Sequence, residues 1–385
     1  MIQRRINRFR PLLVGVAAAA MLLTGCSAPG QASNTAKTDK GPIKIAVANA
    51  QSGQLSSLGA WEYKGVKMAF DEVNKAGGID GRQVTLTLYD DKGDPTVGTN
   101  LAHKIASEGN IMMMGTAESA VALAMAPILE QSSIPFMTSG QSPALGKLGN
   151  KFLFMNSPAS TSFDATLAKY ILDKGYKSIA MISNNGAYGV GEHDAFLAAL
   201  SAAGVKPVAD QIITPDQKDF SSALTTIRQS NPDAFFIGAE EVQSGLIVKQ
   251  ARQLGIKAVI GGGAPVGTDV YVSTGGTDAV EGTIVSTPYL GNDTSDATKK
   301  FAADYKVAYG EIAEFHGAKA YDGAQIVIKA LKQTHVATGA KLADAIRAIS
   351  YTGLVGTFKF DENGVGVHET LIGIIKSGKL VPAAK

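Results

Sequence analysis

The chain has 385 residues, of which 45% are hydrophobic and 18% charged, with a formal net charge of +2 and one cysteine. That length and apolar content suit two domains with substantial cores. The near-neutral balance gives no basic field for nucleic acid and no acidic tail, and a lone thiol has no partner for an internal disulfide, so the fold must stand on packing.

The first element in chain order is a targeting segment. Arg4, Arg5, Arg8 and Arg10 form a positive head, and Pro11 to Leu23 is an almost unbroken apolar run. It is shorter than the ~20 residues of a spanning helix and fits the apolar core of a secretory signal. It ends in Leu23-Thr24-Gly25-Cys26, which resembles the lipobox of bacterial lipoproteins. The resemblance implies that residues 1–25 are removed and that Cys26 carries a lipid group, giving an extracytoplasmic protein anchored to the cell membrane. Two acyl chains suffice for stable anchoring, where one is marginal. Residues 26–41 are small and polar, too poor in apolar surface to order themselves, and read as a tether.

The folded body is expected from about residue 42. Short runs rich in β-branched or large apolar residues ("IKIAVAN", "QVTLTLYD", "IMMMG", "IPFMT") alternate with helical patterns. In "GVKMAFDEVNKAGG", Val66, Ala69, Phe70 and Val73 fall at i, i+3, i+4 and i+7, and Gly77-Gly78 stops the helix. "PTVGTNLAHKIASEG" and "SAVALAMAPILEQS" follow in the same role. After "SPASTS" the alternation restarts, with strands at "SIAMIS", "PVADQIIT", "DAFFIG", "AVIGG" and "GTIVST" and helices between them. Three helical stretches and the strands "GTFKF" and "TLIGIIKSG", joined by the turn-like "DENGVG", close the chain. Such alternation predicts an α/β fold of two doubly wound parallel-sheet lobes.

Parallel α/β sheets hold ligands at the carboxyl ends of their strands. The segments there, among them "TAES" (116–119), "SGQSPAL" (139–145), "NNGAYG" (184–189), "AEEVQSG" (239–245) and "GGAPVG" (262–267), are rich in Gly, Ser, Gln and Glu, as hydrogen bonding to a small polar solute requires. No Walker loop, dinucleotide fingerprint, nucleophile elbow or H-E-x-x-H motif is present. The five histidines are scattered, and "YDDKGDP" lacks calcium-loop spacing, which reads as a surface loop. The expectation is a non-enzyme with no cofactor and no metal.

Several stretches in order ("IKIAVANAQSGQLSSLGAWEYKGVKMAFDEVNKAGGIDGR", "YDDKGDP", "IPFMTSGQSPAL", "AYG", "AYDGAQIV", "GTFKFDENG") resemble the substrate-binding proteins of branched-chain amino acid ABC transporters. The resemblance implies a type I periplasmic binding fold. Two lobes, residues 42–160 plus 288–368 and residues 161–287 plus 369–385, are joined by a three-strand hinge with crossings near 158–162, 286–290 and 367–371. It further implies a ligand carboxylate held by Ser119 at a helix start, with Gln141 and Ser142 as its partners, and Tyr188 closing from the second lobe. A hydroxyl and free N–H groups at a helix N-terminus do suit an anion.

Two departures qualify the match. The disulfide positions of the family's type member fall on Gly93 and Glu118, and the acid that holds the ligand ammonium would fall near Gly263. A buried amine still needs a counter-charge. Glu118, Glu240 and Glu241 are the available acids, with Glu240 the first choice because it lies on the second lobe. Leu58 stands where the family has a tryptophan, which alters a pocket wall that Ala117 also joins. The implied function is a monomeric receptor that delivers an amino acid, amide or related acid to an ABC permease in the membrane. An anchored sensor of the same fold is the alternative, and a hydrolase using Glu118 or Glu240 as base is the remaining one.

Overall fold

The computed structural model describes residues 41–291 and 295–383. The signal segment, Cys26 and nearly all of the tether lie outside the described residues. The first strands and helices are β1 (Ile43–Asn49), α1 (Ser56–Lys75), β2 (Val84–Asp90), α2 (Pro95–Ser107), β3 (Met112–Gly115), α3 (Ser119–Gln131), β4 (Phe136–Thr138), α4 (Pro143–Gly146) and β5 (Leu153–Met155). Their strands pair in the order β2-β1-β3-β4-β5, all parallel. Helices cover both faces, so β1 buries six of its seven side chains and reads as a continuous apolar run.

The chain then enters a second sheet through α5 (Ser160–Asp173), β6 (Ile179–Asn184), α6 (Ala187–Ala202), β7 (Ala209–Ile213), α7 (Ser221–Gln229), β8 (Ala234–Gly238), α8 (Glu241–Gln253) and β9 (Val259–Gly262). A short 3-10 turn at Ala264–Gly267, α9 (Asp269–Gly275) and α10 (Thr277–Val280) lead to β10 (Ile284–Thr287). Next come α11 (Asp296–Tyr309), α12 (Phe315–Gln333) and α13 (Gly339–Ala348), which pack with the first sheet. A small antiparallel sheet of β11 (Ser350–Gly353), β12 (Gly356–Phe360) and β13 (Gly366–Val367) follows. Finally β14 (Leu371–Lys376) and β15 (Lys379–Pro382) return to the second sheet, whose order is β15-β14-β10-β9-β8-β6-β7. The chain thus passes between the two sheets three times, after β5, β10 and β13. We call each sheet with its helices a lobe.

Three details differ from the sequence reading. The second sheet is parallel only from β10 to β7, since β14 and β15 run antiparallel at its edge. "GTFKF" and "TLIGIIKSG" do not pair: the turn between them joins β12 to β13, and β14 belongs to the other sheet. The "YDDKGDP" segment is not simply a surface loop. Asp94 accepts the Thr96 and Val97 N–H groups and caps α2, Asp90 holds Gln51 and Ser52, and Asp91 is fully buried.

One packing feature matters for the site. α1 and α12 cross where Gly65 faces the backbone of Gly317, and a methyl at Gly65 would stand 2.1 Å from the Gly317 carbonyl oxygen. The missing side chain lets the helices touch. It brings Glu62, one turn before Gly65 on the buried face of α1, to within 3.8 Å of Lys319 on α12.

Candidate ligand-binding site

A cavity of ≈ 30 Å³ lies between the lobes. Its walls come from the carboxyl ends of strands in both sheets, where ligands bind in open α/β folds. From the first lobe come Leu55 and Leu58 after β1, Ala117 and Glu118 after β3, and Ser139 and Gln141 after β4; α12 adds His316 and Lys319. From the second lobe come Tyr188, Glu240, Glu241 and Pro265.

The charged groups dominate this wall. Glu118 is the N-cap of α3, and its Oε1 accepts the Ala120 N–H at 3.1 Å. Burial, and then the charge of Glu240, push its pKa up to about 8. Glu240 is the N-cap of α8, and burial raises its pKa too. It is held by Asn184, whose Nδ2 donates to Glu240 Oε2 at 2.6 Å and to Gln243 Oε1 at 2.8 Å. Gln243 is fixed in turn by donating to the carbonyls of Thr214 and Pro215. Gly189 permits this arrangement, since a side chain there would meet the Asn184 amide oxygen at 2.3 Å. Glu241 follows Glu240 and is buried, and burial raises its pKa against the opposing charge of His316.

The cationic groups are engaged. Lys319 donates to the Ser139 carbonyl at 2.8 Å, lies 3.8 Å from Glu62 and sits over the Phe315 ring. Burial lowers the Lys319 pKa and raises that of Glu62, each against the attraction of the other. His316 Nδ1 bonds Glu314 at 2.8 Å, and its Nε2 reaches Glu241 of the other lobe at 3.6 Å. Burial pulls the His316 pKa down, but the Glu314 and Glu241 carboxylates together outweigh it and the net shift is upward.

Not every residue named from the sequence reaches this wall. Leu58, Ala117, Glu118, Gln141, Tyr188 and Glu240 line the cavity; Ser119, Ser142 and Gly263 do not. Ser119 is the first residue of α3 and fully buried, and its hydroxyl accepts the Ser142 N–H at 3.2 Å. The cap of α3 is the preceding Glu118, so part of the positive helix end already faces a carboxylate of the chain itself. Ser142 caps the short α4. Gln141 donates its side-chain amide to Ser157, in the passage between lobes. Tyr188 and Glu241 lie on helices rather than in loops.

Gly263 has an unexpected neighbour. A side chain there would meet Glu192 Oε2 at 2.7 Å and the Tyr188 hydroxyl at 3.1 Å. The place where the resemblance puts an acid therefore has a carboxylate beside it, supplied by α6. Glu192 Oε2 and both Asp164 oxygens are buried without a hydrogen-bond partner, and neither residue forms an ion pair among the described residues. Burial raises both pKa values, that of Glu192 to about 7, and the charge of Glu192 raises Asp164 further.

The sequence reading missed Glu62, Asp164, Glu192, His316 and Lys319. A signal was available for the helical ones. Glu62 falls in phase with the buried Val66, Ala69 and Val73, and Asp164 with Leu167, Ala168 and Ile171. A charge on an apolar stripe is unusual unless paired or functional.

Comparison with known proteins agrees with this architecture. The periplasmic binding protein family matches residues 42–379. A Leu/Ile/Val-binding protein of Rhizobium johnstonii is 32% identical over 292 residues, covering 74% of this chain and 77% of its own length. A leucine-, isoleucine-, valine-, threonine- and alanine-binding protein of Pseudomonas aeruginosa is 25% identical across 90% of this chain and 91% of its own. The crystal structure of a leucine-binding protein from Thermotoga maritima superposes with a TM-score of 0.83 at 27% identity, covering 89% of this chain and 98% of that one. The folded body is therefore a type I periplasmic binding fold, and the chain belongs to the periplasmic binding protein family, among the substrate-binding proteins of branched-chain amino acid ABC transporters and not among enzymes.

Proposed function

We propose that this chain is a lipid-anchored, extracytoplasmic receptor that closes its two lobes on a small amino acid or a related acid or amide and hands it to an ABC permease. The observation that carries this reading is a small cavity walled by polar side chains of both lobes. A solute touching both walls gains contacts only in the closed form, and that differential is what shifts the lobes. Glu240 is the group we assign to a ligand amine, since it is oriented by Asn184 from the second lobe. Ser119, Gln141 and Ser142 remain our proposed carboxylate side, acting through their backbone and hydroxyl groups if the Ser119–Ser142 bond opens on binding. Attachment through Cys26 follows from the lipobox-like Leu23-Thr24-Gly25-Cys26; among the described residues no helix is long and apolar enough to cross a membrane.

Calorimetric titration of the full chain with a panel of amino acids, amides and aromatic acids tests the receptor reading. One solute should bind near 1:1 with a micromolar or tighter Kd, about −8 kcal/mol, and be recovered intact. No binding across the panel would overturn it. For the anchor, Cys26→Ala should move the protein from the membrane fraction to the soluble one; unchanged partition would refute lipid attachment.

A further inference from the structure

The receptor reading leaves open what kind of solute this cleft takes, and the charges on its wall bear on that. Glu118 and Glu240 reach the same cavity from opposite lobes. Glu241 joins them; the residue is only 4% exposed, and its Oε1 has no hydrogen-bond partner but faces His316 Nε2 at 3.6 Å. The two bases on the wall are already engaged, Lys319 with Ser139 and Glu62, and His316 with Glu314. Behind Tyr188, Asp164 and Glu192 add two further buried acids without an ion-pair partner. The cleft thus holds more acids than bases, and ionising those acids together would leave a negative charge that its own cations do not balance. A zwitterion of zero net charge leaves that imbalance unchanged, and an anion makes it worse.

We infer that the recognised head of the solute is a cation rich in N–H donors, an ammonium, amidinium or guanidinium, held between Glu118 of one lobe and Glu240 of the other. This rests on the receptor reading and narrows its solute class. A planar guanidinium or amidinium offers parallel N–H groups that match a carboxylate on each side. Bridging acids of both lobes also ties closure to the charge of the guest. Without a guest, two facing carboxylates repel, and one retains a proton.

Binding then displaces that proton. Glu118 has a pKa raised to about 8, so a cation that needs both carboxylates ionised releases one proton as it binds below that pH. Affinity should rise about tenfold per pH unit from pH 6 to pH 8 and then level off. The other titratable groups facing Glu118 are Asp91 from the loop after β2, Glu240 and Glu241 from α8, Tyr188 from α6, and His316 and Lys319 from α12, with Glu62 behind Lys319 and Glu192 acting on Glu240. Proton loss from any of these makes the cleft more negative, so each acts with the same sign.

The test is calorimetry of the full chain at pH 6, 7 and 8 in two buffers of different ionisation enthalpy. The probes are agmatine, arginine and methylguanidine, with citrulline and methylurea as neutral counterparts and leucine and benzoate as competitors. A cationic probe should bind at least 100-fold more tightly than its neutral counterpart, release close to one proton at pH 7, and gain affinity with pH. Glu118→Gln and Glu240→Gln should each weaken it tenfold or more without lowering the melting temperature, and Glu118→Gln should abolish the pH dependence. Tight binding of leucine, citrulline or benzoate with no cationic probe bound, or affinity that falls as pH rises, overturns the cation assignment and leaves the receptor reading standing. If no probe and no member of the wider panel binds, both fall together.

Discussion

The molecule buries charge twice near its cleft, and the two places are built differently. In the first lobe Glu62 faces Lys319 across the α1–α12 contact, and each offsets part of the other's cost of burial. In the second lobe Asp164 and Glu192 are both acids, with no ion-pair partner among the described residues and with three of their oxygens lacking a hydrogen bond. A buried ion pair resists loss of either member, because what remains is an isolated charge. Two buried acids instead escape by keeping protons. The first lobe therefore offers a fixed electrostatic frame, and the second a frame whose charge depends on pH.

The largest effect expected from this contrast is at Lys319. Replacing it by Met strands Glu62 in the interior and should cost about 3–5 kcal/mol of unfolding free energy at neutral pH. Glu62 can protonate, so the loss should shrink as pH falls through the upshifted range of that carboxylate. Urea unfolding at pH 5 and pH 8 measures both. The double variant Glu62→Leu with Lys319→Met should recover most of the stability, since apolar packing often equals a buried pair. A double variant as unstable as the single one would mean that the contact between the helices, not charge balance, is what Lys319 supports.

Glu192 should behave in the opposite way. Its folded-state pKa is about 7 against an ordinary 4.5. An acid whose pKa is raised on folding holds its proton better in the native state, so stability is unaffected below about pH 4.5, falls as pH rises toward 7, and stays reduced above it. Glu192→Gln removes that loss. The variant should match the parent near pH 4 and exceed it by about 1–3 kcal/mol at pH 8. Thermal unfolding at four pH values checks the sign. A difference that does not change with pH would show that Glu192 is ionised throughout and that the two lobes do not differ as argued.

Much of this architecture could be read from the chain, and the reasons it could are local. β1 and β6 declare themselves because strands buried on both faces carry long apolar runs, β2 because it alternates apolar and polar residues at the sheet edge, and α1 and α2 because a stop or cap residue closes an apolar period. Ala117, Glu118, Gln141 and Glu240, each following a strand in the sequence, all line the cavity. Lys319 and His316 escaped because α12 is buried around most of its surface and has no polar face to set them apart. Glu192 escaped because the acid beside Gly263 comes from a helix 71 positions earlier, and only folding brings the two together. The division of "GTFKF" and "TLIGIIKSG" between lobes followed from the family resemblance, whereas the pairing of β12 with β13 and of β14 with β10 did not, because strand pairing is a long-range choice that neither segment encodes alone.

A neutral group gives the control for both charged sites, and Ser119 is that group. Its hydroxyl accepts a single hydrogen bond from the Ser142 N–H in a fully buried setting. Ser119→Ala leaves this N–H without its partner and should cost about 1–3 kcal/mol. Nothing in that bond titrates, so the loss should be the same at pH 5 and pH 8, unlike the losses at Lys319 and Glu192. Solute affinity separates two roles for the same atom. If Ser119 turns toward a ligand carboxylate on closure, the variant loses affinity as well as stability. If it serves only to tie the loop after β4 to the start of α3, affinity holds while stability falls, and the acidic wall of Glu118 and Glu240 must then account for recognition without it.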